Sequence, residues 1–334
     1  MKKAIVALLV VALLVGAIVG YGMFYDRKLP NFTGEAELFV YPGMNPQHTK
    51  DSLIASGVVK NPKSLERCFK KVRSATPGHY RVDATCTSMY VSRMIANGWQ
   101  TPVNLTLSGS IRTYRSLARK VGAQMLLDSA AVAGFAVDSL GGYGLDTLQL
   151  FTRVVPDTYQ MLWTASARDI FERLFKESDA WWTQERLAAA KKQGLTKNEA
   201  ITLASIVDGE TRYVPEQPTI AGVYLNRLHS GMKLQADPTI AYCYGYTLNR
   251  ILKVHLKVDS PYNTYMHFGL PPGPISCPPK SCLEAVLSPA SHNYLFFCAD
   301  PSFNGSHRFA ATYGEHMVNA RAFQKALTER QRGK

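Results

Sequence analysis

The run TKNEAITLASIVDGET, residues 196–211, combines a helix start signal with an apolar stripe. Thr196 followed three residues later by Glu199 forms a capping box, in which each side chain bonds the backbone N–H of the other, so a helix is predicted to begin here. The apolar residues at i, i+3 and i+4 spacing are Leu203, Ile206 and Val207. Glu210 takes the next position of that stripe, so its carboxyl group is expected at the edge of a buried surface.

The position of Glu210 predicts a role in acid catalysis. A carboxyl group at the end of an apolar stripe loses hydration when charged, which raises its pKa and suits it to donate a proton near neutral pH. Asp208, two residues earlier, is expected on roughly the opposite side of the helix. The alternative is that Gly209, which costs about 1 kcal/mol inside a helix, ends the helix and leaves Glu210 in a solvated turn. Periodicity alone leaves both interpretations open.

The residues that follow are rich in polar side chains next to proline and glycine. Glu216 precedes a second predicted helix, residues 220–229, in which Asn226 lies near one edge. Further polar runs are LQADPT (234–239), YNTY (262–265) and GLPPGPI (269–275). Asn, Gln, Asp, Thr and Tyr offer the donors and acceptors that sugar hydroxyl and acetamido groups require. A structural loop held by proline and glycine would have a similar composition.

One long apolar stretch lies at the N-terminus. Residues 4–25 contain no charged side chain and follow Lys2 and Lys3. At about 1.5 Å rise per residue this length covers the roughly 30 Å core of a bilayer, whereas a signal-peptide apolar region needs about 7–15 residues. We expect one transmembrane helix from Ala4 to Tyr25, with residues 1–3 in the cytoplasm and the remainder translocated. A cleaved signal peptide is the alternative, because small residues occur near the end of the stretch.

The region between the apolar stretch and residue 196 alternates strand and helix signals. Residues 33–100 predict a small mixed module, and residues 101–195 predict a connecting strand and helices. The predicted strands are 37–41, 79–82 and 102–107, and the predicted helices are 50–56, 62–72, 88–95, 113–123, 167–177 and 179–192.

Composition restricts the class of protein. A chain of 334 residues is long enough for about two domains, and 46% hydrophobic with 19% charged residues excludes wholesale disorder. The net charge of +13 favours anionic partners without choosing among them. The basic residues of the helix near 113–123 are more typical of a solvated face than of a nucleic-acid site, and no nucleic-acid partner is expected. They are Arg112, Arg115, Arg119 and Lys120.

The cysteines do not predict a metal centre. Four residues separate Cys277 from Cys282, and no second close pair or His-x-x-x-His run completes a zinc site. Buried free thiols and one or two disulfides both stay open. No metal or other cofactor is expected. The six cysteines are Cys68, Cys86, Cys243, Cys277, Cys282 and Cys298.

Taken together, the order and spacing of these motifs resemble the endolytic murein transglycosylases of the MltG (YceG-like) type. The resemblance extends over about residues 38–325. The matching motifs are PDTY (156–159), ASIVDGET (204–211), NRL (226–228), GM (231–232), LQ (234–235), DPT (237–239), YNTY (262–265) and GLPPGPI (269–275), with Ala299, His307, Phe309, Glu315 and His316 downstream.

This resemblance implies an α+β protein with a single-span anchor, a LysM-like module in residues 33–100 and a catalytic domain in residues 196–330. The location implied is the bacterial cytoplasmic (inner) membrane, with the catalytic domain on the periplasmic, extracytoplasmic side. In the acidic motif of the family the catalytic glutamate is the second acidic residue, here Glu210. Asp208 stands where the family usually has Glu, and Gly209 stands where it usually has a basic residue.

The implied reaction needs one acid. Glu210 would protonate the oxygen between N-acetylmuramic acid and N-acetylglucosamine, then accept the proton of the muramyl C6 hydroxyl as that oxygen attacks C1. The nucleophile is intramolecular, so no water is consumed and a 1,6-anhydromuramyl end forms. Such cleavage would limit the elongation of nascent glycan strands. The residues assigned to substrate binding or to support of Glu210 are Glu216, Asn226, Gln235, Asp237, Thr239, Asn263 and Tyr265.

Two other functions fit the same residues. A peptidoglycan hydrolase would use Asp237 or Glu216 as a second carboxylate and would leave reducing ends. A non-catalytic scaffold would bind the cell wall and leave it uncut. The expected partners are peptidoglycan glycan strands and the membrane, with peptidoglycan synthases or division proteins as candidate protein partners.

Overall fold

A computed structural model describes residues 2–332 and confirms the mixed α+β class. The described chain divides into two compact units. Unit 1 comprises the described residues up to Leu105 with Gln124–Leu127 and Tyr159–Ser166, and unit 2 comprises Thr106–Ala123, Asp128–Thr158 and the described residues from Ala167 onward.

Unit 1 begins with the helix α1 (Lys2–Lys28), which continues beyond the predicted end at Tyr25. Among residues 2–332 one helix is long and apolar enough to cross a membrane. Its span is Lys3–Lys28, with a mean hydropathy of 2.8 and an apolar window that is not buried in the protein. The length and composition therefore agree with the predicted single span.

The rest of unit 1 contains a small mixed module. Its elements are β1 (Ala36–Val40), α2 (Pro46–Ala55), α3 (Pro62–Phe69), β2 (Gly78–Val82) and α4 (Ser88–Asn97). β1 and β2 pair antiparallel, with Leu38 opposite Tyr80 in the core. The helix predicted at 50–56 begins earlier, because the Asn45 side chain accepts a bond from the N–H of Gln47 and caps α2. Thr87 caps α4, which corresponds to the helix predicted at 88–95.

A buried carboxylate fixes the end of α1 to this module. Asp26 is 6% exposed and accepts hydrogen bonds from Ser64 Oγ at 2.6 Å and from the Nε and Nη2 atoms of Arg67 at 3.1 and 2.6 Å. Both partners lie on α3. The last turn of α1 is therefore held by a charged, multiply bonded contact.

Two short strands form a two-stranded sheet. They are β3 (Val103–Thr106) and β4 (Thr158–Met161). The remaining elements belong to unit 2. They are α5 (Tyr114–Gly122), α6 (Ser129–Asp138), α7 (Ala167–Trp181), α8 (Gln184–Lys192), α9 (Lys197–Glu210), α10 (Gln217–His229), α11 (Asp237–Cys243), α12 (Lys280–Leu287), β5 (Phe296–Ala299), β6 (His307–Ala310) and α13 (Tyr313–Arg332).

The helix boundaries in unit 2 follow local capping. The boundary between the helices predicted at 167–177 and 179–192 lies later than predicted. Thr183 accepts a bond from the N–H of Arg186 and so caps the start of α8. The second predicted helix of the polar region, α10, starts at Gln217 and not at Ile220, with proline in its first turn. β5 and β6 pair antiparallel, with Ala299 opposite His307.

Helix α9 lies in the centre of the unit 2 core. The capping box of Thr196 and Glu199 is present, and every residue from 200 to 207 is buried. The core around it is built by α8, α10 and α12. The buried Ser205 hydroxyl accepts a bond from the N–H of Ile275 at 3.0 Å, which ties the proline-rich loop to the helix. The helix continues through Gly209 to Glu210, so the alternative in which Gly209 ends it is wrong.

Replacing Asp26 by alanine is expected to loosen the junction of α1 and α3. Ser64 and the Arg67 guanidinium lose their buried acceptor, at a cost of about 1–3 kcal/mol. Hydrogen exchange of the α3 amides, measured on the full chain in detergent micelles, should be faster in Asp26→Ala. Glu35→Ala is the control, because Glu35 pairs with Arg81 at the surface. Equal exchange in parent and Asp26→Ala would contradict the prediction.

Candidate active site

Glu210 ends α9 with its carboxyl group in a cleft of unit 2. The side chain is partly exposed, and Tyr224 on α10 donates its hydroxyl hydrogen to Oε1, which leaves Oε2 for a ligand. Burial raises the pKa of Glu210 to about 7, although the hydrogen bond from Tyr224 lowers it. The charge of Asp237 also raises this pKa, and the charge of Arg227 lowers it. Near neutral pH this group can therefore act as an acid and as a base.

One cavity of about 260 Å³ brings Glu210 together with three other predicted site residues, Gln235, Asp237 and Tyr265. Tyr265 donates its hydroxyl hydrogen to Asp237 Oδ1 at 2.6 Å and fixes that exposed carboxylate. Gln235 has a φ of +50°, a backbone conformation that is strained for a residue with a side chain. Its N–H is held by the carbonyl oxygen of Thr264 at 3.1 Å.

The other predicted residues bond protein groups. Glu216 accepts hydrogen bonds from the N–H and the Nδ1 of His307 at 2.9 and 2.8 Å. Asn226 donates to the carbonyl oxygens of His292 and Tyr294. Thr239 is fully buried and donates to the carbonyl oxygen of Ala236. These three side chains hold backbone or a neighbouring ring in place around the cleft.

Asn263 is likewise fully buried. Its amide donates to the carbonyl oxygens of Leu256 and Val258 at 3.0 and 2.7 Å, and its Oδ1 accepts from the N–H of Tyr265 at 2.9 Å. Since Tyr265 in turn bonds Asp237, Asn263 sets the loop that presents this pair.

The close approach of α11 to α9 depends on Gly209. A Cβ atom at this position would lie 2.4 Å from Pro238 Cβ, which is closer than side chains pack. Pro238 follows Asp237 in the first turn of α11. The missing side chain at Gly209 therefore lets Asp237 approach Glu210.

Several residues of the cleft were not among the predicted site residues. Tyr224 and Arg227 lie on α10 and line the cavity of Glu210 and Asp237. Arg227 is buried and is held by the carbonyl oxygens of Leu295 and Leu234, each at 2.6 Å. His307 reaches the same cavity from β6. Of these, Arg227 in the NRL run and His307 downstream lie at positions that the family resemblance includes, whereas Tyr224 lies outside the matching motifs.

Glu210 also lines two further cavities. One, of about 580 Å³, includes His307 and Phe303. The other, of about 390 Å³, is lined by Asp208 and Arg112 together with Glu210. Asp208, predicted on the opposite side of the helix, thus lies in a neighbouring part of the same cleft. Ser276 donates to its Oδ2 at 3.3 Å, and burial raises the pKa of Asp208.

The cysteines lie apart from one another as free thiols. Cys277 and Cys282 are both buried, and burial raises the pKa of Cys282 to about 12. Such thiols are inert. Within residues 2–332, no group of three or more His, Cys, Asp or Glu side chains is placed to hold a metal ion.

In this α+β unit a buried helix, α9, ends in an acid that faces an open cleft. Comparison with known proteins identifies the family that has this arrangement. The sequence model of the YceG-like family matches residues 38–322. The chain belongs to that family.

Two curated relatives carry the name endolytic murein transglycosylase. The Bacillus subtilis protein is 36% identical over 151 residues, which is 45% of this chain and 41% of that protein. The protein of Streptococcus pneumoniae strain D39 is 25% identical over 322 residues, which is 85% of this chain and 58% of that protein. The chain thus spans less than two thirds of the length of either relative.

A solved structure resembles the fold. The crystal structure of a yceG-like protein from Listeria monocytogenes has a TM-score of 0.58 and 26% sequence identity to this chain. The alignment covers 85% of this chain and 98% of that one.

Substituting Gly209 by alanine is expected to push Pro238 and Asp237 away from Glu210. The overpacked methyl group should lower the free energy of unfolding by about 1–3 kcal/mol. Urea unfolding of the full chain in detergent, followed by circular dichroism, measures this change. Gly134→Ala is the matched control, because Gly134 lies in α6 with open space around it and should gain about 0.5–1 kcal/mol. An unchanged free energy of unfolding in Gly209→Ala would contradict the close approach of Pro238 to Gly209.

Glu210→Gln should change how stability depends on pH. Because the folded protein raises the pKa of Glu210 from 4.5 to about 7, it binds more protons than the unfolded chain between these values. The parent should therefore lose about 3 kcal/mol of stability as the pH rises from 4.5 to 8, and the variant should lack this loss. Urea unfolding at both pH values measures the difference. Glu329→Gln, on the exposed surface of α13, should behave as the parent does.

Proposed function

We propose that this protein is a membrane-anchored endolytic lytic transglycosylase of peptidoglycan. It cleaves bonds between N-acetylmuramic acid and N-acetylglucosamine in nascent strands, leaves 1,6-anhydromuramyl ends and so limits strand elongation. The observation that carries this proposal is the Glu210 carboxyl group. It lies in an open cleft, and its pKa is raised to about 7. The names of the Bacillus and Streptococcus relatives point to the same activity.

The cleft suits cleavage within a strand. Cavities adjoin Glu210 on several sides, with Asp208 and Arg112 in one and Asp237 and Tyr265 in another. An internal bond needs sugar residues bound on both sides of the cleaved oxygen. Glu210 lies where these cavities meet, which is the position required of the acid in an endolytic enzyme.

The first chemical step is proton donation to the glycosidic oxygen. Tyr224 holds Oε1 of Glu210 through its hydroxyl hydrogen, so the transferable proton is carried by Oε2. Burial raises the pKa of Tyr224, and its hydroxyl therefore stays protonated throughout. As the bond to the leaving sugar breaks, positive charge develops at C1 of the muramyl residue.

Carboxylates near C1 stabilise that charge. Asp237, fixed by Tyr265 in the same cavity, is the group placed for this role. Glu210, now ionised, accepts the proton of the C6 hydroxyl as the C6 oxygen forms its bond to C1. The Glu210 carboxyl group is again protonated at the end of the cycle, and no water enters the balance.

His307 and Glu216 support this site. The two bonds from His307 to Glu216 fix the imidazole ring, which lines the cavity of Glu210. With Nδ1–H donated to the carboxylate, Nε2 is the ring nitrogen left for a sugar hydroxyl. We assign Glu216 to positioning and His307 to substrate contact.

The rest of the chain provides location. We infer that α1 anchors the protein in the bacterial cytoplasmic membrane, with the residues that follow α1 on the outer side, which its apolar length supports. We also infer that residues 33–100 are a LysM-like module, supported by the order β1, α2, α3, β2 with antiparallel pairing. We propose peptidoglycan synthases or division proteins as protein partners, because they act on the same proposed substrate.

Hydrolysis is the second candidate function. Asp237 shares a cavity with Glu210 and raises its pKa, so a second carboxylate is close to the acid. A hydrolase would use this carboxylate to activate water or to form a covalent intermediate. Its products would be one water heavier than anhydro ends.

One experiment distinguishes these functions. The full chain in detergent is incubated with uncrosslinked glycan strands, and the released products are identified. Mass spectrometry should detect anhydro ends with the parent, and Glu210→Gln should reduce their rate by about 10²- to 10⁴-fold. The Gln side chain keeps an acceptor for the Tyr224 hydroxyl hydrogen and removes the acid. Glu329→Gln is the control for loss of one surface carboxylate.

Other products would change the assignment. Hydrated reducing ends, lost in Asp237→Asn, would identify a hydrolase. Binding of strands without cleavage by the parent would identify a scaffold. Unchanged cleavage by Glu210→Gln would remove Glu210 from the reaction.

A further inference from the structure

Two arginine side chains line the cavity on the Asp208 side of Glu210. Arg112 precedes α5 and Arg212 follows α9, and both line the cavity of about 390 Å³ that Glu210 also lines. Both side chains are exposed to solvent. A bound glycan strand that reaches Glu210 from this side therefore meets two guanidinium groups.

Each guanidinium is held in place by an uncharged partner. Arg212 donates from Nη2 to Ser110 Oγ at 2.8 Å. Arg112 lies over the ring of Tyr246, 4.4 Å from its centroid, and Tyr246 donates its hydroxyl hydrogen to the carbonyl oxygen of Ile275. Stacking on an aromatic face leaves the N–H groups at the edge of a guanidinium free to bind an acceptor.

The two guanidinium groups form no ion pair with a carboxylate of the described residues. Neither Arg112 nor Arg212 has a carboxylate oxygen within 4 Å in residues 2–332. Asp208 and Glu210 are the acids that line this cavity; burial raises the pKa of Asp208, and the charges of Arg212 and Arg112 lower it. The cavity of about 260 Å³, which Glu210 also lines, contains the exposed carboxylate of Asp237. Glu210 thus adjoins one cavity with two exposed guanidinium groups and another with an exposed carboxylate.

We propose that Arg112 and Arg212 form a binding subsite for a carboxylate carried by the muramyl residue of the strand. The proposal rests on the function proposed above. The sugars themselves are neutral, and acidic groups occur on the C3 substituent of muramic acid, as the lactyl carboxylate or as carboxylates of the attached peptide. The guanidinium fork matches the two oxygens of a carboxylate.

The ligand is a carboxylate and not a phosphate for a geometric reason. A strand bound for internal cleavage presents muramyl substituents at every second sugar, whereas a lipid pyrophosphate occurs only at its end. The subsite adjoins Glu210, so it contacts a sugar next to the cleaved bond. The arginine pair would then select strands by the charge of their substituents.

Three substrates test the subsite with the full chain in detergent. Uncrosslinked strands carry peptides with free carboxylates, the same peptides with carboxylates converted to amides, or no peptide and a free lactyl carboxylate. The value of kcat/KM for anhydro ends is measured for the parent, for Arg112→Gln with Arg212→Gln, and for Arg115→Gln. Arg115 is a matched control, because it is exposed on α5 and its guanidinium contacts Tyr114.

On acidic strands, kcat/KM of the double variant should fall about tenfold or more below that of the parent. On amidated strands the fold-loss should be at least five times smaller. Loss confined to peptide-bearing strands would assign the peptide carboxylates, and loss on stripped strands would assign the lactyl group. Equal loss on acidic and amidated strands, or no loss beyond that of Arg115→Gln, would overturn the subsite.

A binding measurement separates this proposal from the reaction. The dissociation constants of acidic and amidated strands are compared on a Glu210→Gln background, with and without the arginine substitutions. Weaker binding of the acidic strands alone supports the subsite even if the parent cleaves nothing, which would refute the proposed function. Identical dissociation constants would refute the subsite even if the parent cleaves.

Discussion

The desolvated carboxyl group at the end of α9 is the constraint on which the site depends. Residues 200–207 are buried among α8, α10 and α12, so the helix cannot slide or turn without disturbing the core. Glu210 is the last residue of that helix and inherits its fixed position. The rigid element supplies the precision that a flexible loop would lack.

The same burial has a thermodynamic cost that the surrounding groups moderate. An unassisted carboxylate in this place would be driven further towards its neutral form. The hydroxyl hydrogen of Tyr224 and the buried charge of Arg227 oppose this, while Asp237 adds to it. The resulting balance keeps both protonation states accessible, at the expense of stability at high pH.

Local signals in the sequence predicted the start of α9 and placed Glu210 on its apolar stripe, and they left open whether the helix ends at Gly209. The capping box of Thr196 and Glu199 and the i, i+3, i+4 stripe act within a few residues, so they could be recognised without the fold. The contact of His307 with Glu216 could not, because it joins residues 91 positions apart in the chain.

Polar composition could not separate binding side chains from structural ones. Asn263 and Gln235 lie in similar polar runs, but the amide of Asn263 is consumed by two backbone carbonyl groups, whereas Gln235 is exposed in the cleft. The sequence could not decide whether Gly209 ends the helix, because the neighbour that requires a glycine there, Pro238, lies on another helix. Such contacts are properties of packing and leave no local pattern.

In the proposed anchored state, the continuity of α1 makes it a rod between bilayer and module. The helix runs unbroken to Asp26, whose bonds to Ser64 and Arg67 fix the end of the rod. Each residue of an α-helix adds about 1.5 Å of rise and about 100° of turn. Insertion or deletion of one residue before Asp26 would therefore rotate the module by about 100° around the helix axis. Insertion of a whole helical turn would change mainly its distance from the membrane.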